Sequence, residues 1–163
     1  DDVKKYYGAV IGFGGRGEAI AYKDNYCEID PTTVDQFGIP VLKFNYKWSD
    51  FEINQAKHMQ DTFEELIHNM GGIPLSEKPG KDQDYGLLAP GQIIHEVGAT
   101  RMGEDPADSV TNQWGQTWDC PNLFVMDAGT FASNPHKNCT LTILTLAMRN
   151  ADWLAGQIKQ GAL

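Results

Sequence analysis

Between Val41 and Met70 the hydrophobic period changes from two to about three and a half, so a strand must run almost directly into a helix. In residues 41–48, Leu42, Phe44, Tyr46 and Trp48 alternate with Lys43, Asn45 and Lys47, the pattern of a strand with one buried face. Ser49 stands three residues before Glu52, the spacing of a capping box in which each side chain satisfies the other's free backbone N–H. Behind it Ile53, Ala56, Met59, Phe63, Leu66, Ile67 and Met70 form one apolar stripe. A helix is predicted over 50–70, stopped by Gly71-Gly72, with its stripe read as core.

Other segments are less strongly patterned. Residues 8–30 read as two or three short strands around glycines, and 73–92 and 103–121 read as loops rich in Pro, Gly, Asp and Asn. The run Leu123-Phe124-Val125-Met126-Asp127 is apolar almost throughout, as expected of a strand buried on both faces. A final helix is predicted from Leu141 to Lys159, with a first half apolar nearly all round and therefore buried in the complete molecule. No repeat or low-complexity segment is present.

The 163 residues suffice for a core, and 41% hydrophobic with 21% charged residues is an ordinary globular balance. A net charge of −9 without a basic stripe argues against nucleic acid as a partner, because nothing replaces the phosphate counterions. No apolar run is long enough to span a bilayer. Cys27, Cys120 and Cys139 lack C-x-x-C spacing and read as free thiols, and no metal site is expected.

Gly12-Phe13-Gly14-Gly15-Arg16-Gly17 matches the dinucleotide-binding fingerprint, which requires a strand before it and a helix after it. The following residues carry no sustained helical stripe and soon meet Pro31, so the segment reads as a glycine-rich connection. Nicotinamide binding through Gly12, Gly14 and Gly17 is the weaker alternative.

Two further segments can carry chemistry. The first, His95-Glu96-Val97-Gly98-Ala99-Thr100-Arg101-Met102-Gly103, sets a histidine in a glycine-punctuated stretch beside an arginine. The second runs from Asn122 through Asp127-Ala128-Gly129 to Asn134-Pro135-His136-Lys137-Asn138-Cys139-Thr140-Leu141-Thr142. It places Asp127 at a strand end and leads Asn138 and Thr140 into a helix N-terminus, where free N–H groups favour negative charge. A lone histidine is often structural, and His136 or Asn138 can equally serve as a helix cap. Spacing alone selects no enzyme.

Together these segments closely resemble the C-terminal signature of the glucose–methanol–choline oxidoreductase family. Its pattern is His-x-x-Gly-Thr-x-Arg-Met-Gly, then Asn-Leu-(aromatic)-Val-x-Asp-Ala/Gly, then Asn-Pro-Thr-Leu-Thr opening a helix that contains Ala-x-Arg and Ala-Asp. Ala147-Met148-Arg149 and Ala151-Asp152 follow in matching order. Upstream, residues 15–50 are similar to the substrate-domain segment of the sugar and gluconate dehydrogenase branch. Ala99 stands where Thr is commoner, and Cys139 replaces the usual Pro.

The resemblance implies an α+β chain. Residues 1–94 would be a portion of a substrate-binding domain, with a mainly antiparallel sheet packed by a helix. Residues 95–163 would carry the catalytic motif and the closing strand and helix of an FAD-binding α/β domain. It implies FAD as cofactor and a sugar, sugar acid, polyol or other alcohol as substrate, oxidised by hydride transfer to flavin N5. His95 would be the base and Asn138 its partner, with His136 as the rival for that place. Asp127, Ala128, Thr140 and Leu141 would lie against the cofactor. The N-terminal FAD-binding portion of a longer protein is then an implied partner, and an electron-accepting subunit is compatible with the branch. A non-catalytic binding or assembly module on the same fold is the alternative.

Overall fold

The computed structural model describes residues 1–162. In chain order it contains α1 (Asp2–Tyr6), β1 (Ala19–Ile20), β2 (Tyr26–Val34), β3 (Pro40–Asn45), α2 (Asp50–Asn69), β4 (Ser133–Asn134) and α3 (Thr140–Lys159). Short 3₁₀ turns lie at Lys81–Gly86 and Ala128–Thr130. The strands form two antiparallel pairs, β2 with β3 and β1 with β4, giving the mixed α/β character with antiparallel strands that the sequence suggests.

The β2–β3 hairpin is shaped by two aspartates. Asp35 accepts from the N–H groups of Phe37 and Ile39 at 2.8 and 3.0 Å, and Gly38 takes the positive φ of 80° that closes the turn. Asp30 accepts from the N–H groups of Thr32 and Thr33 at 2.8 Å each and from the Thr32 hydroxyl, where the register shifts. Those donors, the Thr32 N–H first, hold its carboxyl down at about 2.

One face of the hairpin is polar, with the Glu28–Lys43 ion pair. The other bears Ile29, Leu42 and Phe44 and is open, at 67%, 57% and 67% exposure. The alternation predicts this face buried. It is not, because α2 packs against β1 and the Lys81–Gly86 turn rather than across the hairpin.

The helix α2 begins and ends as its sequence requires, with a complete capping box at Ser49 and Glu52 and with Gly71 at positive φ. Its stripe is only partly core: Ala56 is buried, Ile53, Met59, Phe63 and Ile67 are half-buried, and Leu66 and Met70 are exposed. The glycine-rich connection lies along it. Phe13 stacks on Phe63 at 5.6 Å, and a Cβ at Gly15 would strike the Met59 sulfur. Gln55 grips the next stretch, accepting from the Glu18 N–H and donating to the Glu18 carbonyl. The glycines at 15 and 17 therefore serve close packing, and no helix follows them until Asp50.

Residues 98–131 form a tight unit, although the sequence presents 103–121 as loop. Its interior is polar: Thr111, Thr117 and Thr130 are buried, beside the apolar Phe131. The Asn112 carboxamide oxygen accepts from the N–H groups of Trp114 and Gln116, folding a turn in which Gly115 has φ of 71°. The apolar run 123–127 is not a strand here. It makes one bridge, Phe124 to Gln116, flanked by the Thr117 N–H bond to the Leu123 carbonyl and the Val125 N–H bond to the Gly115 carbonyl, and no neighbouring strand lies on its other edge among the described residues.

The last helix, α3, docks by its middle. Asn150 is buried, Trp153 stacks face to face on Trp114 at 5.2 Å, and the Arg149 guanidinium covers the same Trp114 ring. Its apolar first half is uncovered in this chain, with Leu141, Leu144 and Met148 exposed.

Glu52 is the buried link between α2 and β1. Its carboxylate accepts from the Ile20 N–H at 3.0 Å, from the Ser49 N–H at 2.9 Å and from the Ser49 hydroxyl. Burial pushes its pKa up, and these three donors outweigh it, so the net shift is below the ordinary 4.5. The stabilisation is complete above the unfolded-state value and is lost as pH falls through the lowered folded-state value. Glu52→Gln should cost about 1–3 kcal/mol at pH 7. Urea unfolding of both forms should show that difference shrinking once the pH is well below 4.5.

Candidate functional site

The two motif segments meet through their backbones. The Gly98, Thr100 and Met102 N–H groups donate to the carbonyls of Ala128, Gly129 and Thr130 at 3.1, 2.9 and 2.9 Å. Alternate donors facing consecutive carbonyls fix the segments in one register. The approach demands small residues: a Cβ on Gly129 would strike the Thr100 hydroxyl, and Gly98 has φ of 85°. The Asp127 side chain caps the Ala128–Thr130 turn by accepting from the Gly129 N–H at 2.7 Å.

A second link lies at the histidine. The Asn134 side chain donates to the His95 carbonyl at 2.8 Å, while Asn134 itself pairs with Ala19 in the β1–β4 ladder. Ser133 on the same strand donates from its hydroxyl to the Glu18 carboxylate. Thus β4 ties the glycine-rich N-terminal region to the first motif. His95, His136 and Asn138 are all exposed.

Asn138 does not cap α3, and neither does His136. The N-cap is Cys139, and among the described residues no side chain caps the first turn. Asn138 instead accepts at its Oδ1 from an Arg16 Nη at 2.7 Å. Thr140 and Leu141 occupy that uncapped turn, with Leu141 exposed. Such a terminus offers unpaired N–H groups and the positive end of the helix dipole to an anionic or carbonyl group. The Thr100 hydroxyl is buried and has no partner among the described residues.

An open cleft of about 590 Å³ borders the first motif on the side of Gly98, Ala99 and Arg101. Tyr22, Lys23 and Asp108 also line it, with Lys23 and Asp108 paired at 2.6 Å. None of His95, His136, Asn138, Asp127, Ala128, Thr140 or Leu141 lines it. Among the described residues no group of three or more His, Cys, Asp or Glu side chains could hold a metal ion.

Two residues escaped the sequence reading, Arg16 and Asn134. Asn134 stands in a visible Asn-Pro pair, but nothing in the spacing names the His95 carbonyl as its target. Arg16 lies 122 positions from Asn138, and no local pattern connects them.

Comparison with known proteins agrees with the motif pair. The model of the GMC oxidoreductase family matches residues 22–147. The chain belongs to that family. It is 34% identical over 139 residues to a 2-methyl-1,2-propanediol dehydrogenase of Mycolicibacterium austroafricanum, covering 85% of this chain and 24% of that protein. It is 29% identical over 157 residues to the gluconate 2-dehydrogenase flavoprotein of Pantoea cypripedii, covering 94% and 24%. It is 32% identical over 127 residues to the fructose dehydrogenase large subunit of Gluconobacter japonicus, covering 78% and 22%. The chain thus spans about a quarter of the length of these relatives.

Asn134→Ala should remove about 1 kcal/mol and loosen the first motif locally. Hydrogen exchange should speed up in residues 93–99 and stay unchanged in 110–118. Unaltered exchange at 93–99 would mean that this bond does not hold the histidine segment.

Proposed function

We propose that the chain is the catalytic C-terminal part of an FAD-dependent oxidoreductase that oxidises a hydroxyl carbon of a sugar, sugar acid, polyol or other alcohol. The observation that carries this reading is the backbone ladder joining residues 98–102 to 128–130, reinforced by the Asn134 bond to the His95 carbonyl. It gives the two family motifs a fixed mutual register, as a site built from both requires. The names of the relatives, a diol dehydrogenase, a gluconate dehydrogenase and a fructose dehydrogenase, support the substrate class.

In this reading residues 1–94 contribute to the substrate-binding domain. Residues 95–163 supply the catalytic motif and the closing segment of the FAD-binding domain. The uncapped α3 terminus fits one edge of a flavin, and Thr140, Leu141, Asp127 and Ala128 would hold that edge. A bound flavin supplies the two-electron acceptor for the hydride leaving the hydroxyl carbon.

The chain's own residues handle the proton and the oxygen. The His95 imidazole nitrogen accepts the hydroxyl proton. A side-chain N–H of Asn138 donates to the same oxygen as its proton leaves and alkoxide character develops on it. The carbonyl product retains that oxygen, and His95 later returns its proton to solvent.

In the complete flavoenzyme, His95→Ala should lower the rate of flavin reduction by about 10²–10⁴-fold with FAD still bound. Rapid-mixing absorbance under anaerobic conditions reads this directly, and near-normal reduction would remove His95 from the base role. Asn138→Ala should cost about 10²–10³-fold. His136→Ala should cost far less, and the reverse order would give the partner role to His136.

A further inference from the structure

We infer that Arg16 is a positioning residue for Asn138, setting which end of its carboxamide faces the substrate; this rests on the active-site reading of Asn138 given above. The contact is a 2.7 Å hydrogen bond from an Arg16 Nη to Asn138 Oδ1. A guanidinium has five N–H donors and no acceptor, so only the carbonyl end of the carboxamide can face it. The amide orientation is thereby decided chemically. With the oxygen committed to Arg16, the Nδ2 hydrogens point away from it, and donation is what an oxygen gaining negative charge requires. A flipped amide would present a lone pair to that oxygen and repel it. The cationic donor also polarises the amide and makes its N–H groups better donors.

Arg16 can act this way because its backbone is anchored on both sides. Gly15 lies against Met59 and Phe63 of α2, and a Cβ there would collide with the Met59 sulfur. Gln55 brackets Glu18 with one bond to its N–H and one to its carbonyl. Next in the chain, Ala19 and Ile20 pair with Asn134 and Ser133, only a few residues before Asn138. The glycine run thus delivers one arginine to the second motif from the opposite end of the chain. This gives the segment 12–17 a function that its resemblance to a phosphate-binding loop obscures.

The test is a double-mutant cycle in the complete flavoenzyme, reading anaerobic flavin reduction by a sugar or polyol. Arg16→Met should slow reduction about ten- to a hundredfold, with flavin content unchanged. Arg16→Lys, which keeps a donor-only cation, should recover most of that loss. In an Asn138→Ala background, Arg16→Met should have no further effect, because the group it orients is gone. Multiplicative losses, or a normal rate in Arg16→Met beside a large loss in Asn138→Ala, would overturn the inference. A normal rate in Asn138→Ala would instead bring down the site reading itself, and the positioning role with it.

Discussion

Three backbone hydrogen bonds between residues 98–102 and 128–130 organise the second half of this chain. Each segment has few apolar side chains and no regular secondary structure long enough to stand alone, so peptide groups must find partners in the other segment. Glycine permits it. Gly129 lets the Thr100 side chain approach the turn, and Gly98 adopts a φ unfavourable to any residue with a Cβ. Once that register is set, Asp127 closes its turn, Thr130 and Phe131 are buried, and β4 emerges where it can meet β1.

The interior that results is polar for its size. Buried threonines satisfy backbone groups locally, as Thr111 does by donating to the Thr100 carbonyl and Thr117 to the Cys120 carbonyl, while Asn150 accepts from the Arg149 guanidinium. Much of the apolar surface lies elsewhere, on the open face of the β2–β3 hairpin and on the first half of α3. Local hydrogen bonding and aromatic stacking, above all Trp114 against Trp153, therefore carry more of the cohesion of the second half than burial of aliphatic side chains. The same organisation leaves the α3 N-terminus open to an external acceptor, and a side-chain cap would have closed it.

Electrostatics divide along similar lines. Glu52 is buried and held ionised by three donors that link helix to strand, whereas Asp30 reaches its low pKa at the surface by serving a turn. Both carboxylates are structural. His95, Asn138 and Arg16 are exposed, and Arg16 and Asn138 reach each other because the glycine-rich run is pinned to α2.

The sequence by itself determined the elements whose causes are local. The α2 boundaries followed from Ser49, Glu52 and Gly71 and the α3 span from its apolar run, while the strand that alternation marks over 41–48 forms at Pro40–Asn45 and leaves Tyr46 and Trp48 outside it. The motif pair led to the family for a related reason, since close backbone approach and chemistry restrict residue types at fixed spacings. Tertiary structure alone decided which faces are covered: alternation marks Leu42 and Phe44 as apolar but cannot supply the layer that would bury them. It also decided that 123–127 stays unpaired on one edge, because a strand is completed by neighbours and not by its own residues. The Arg16–Asn138 and Asn134–His95 bonds belong to the same class. They join distant positions, and only the folded path of the backbone brings such donors and acceptors together.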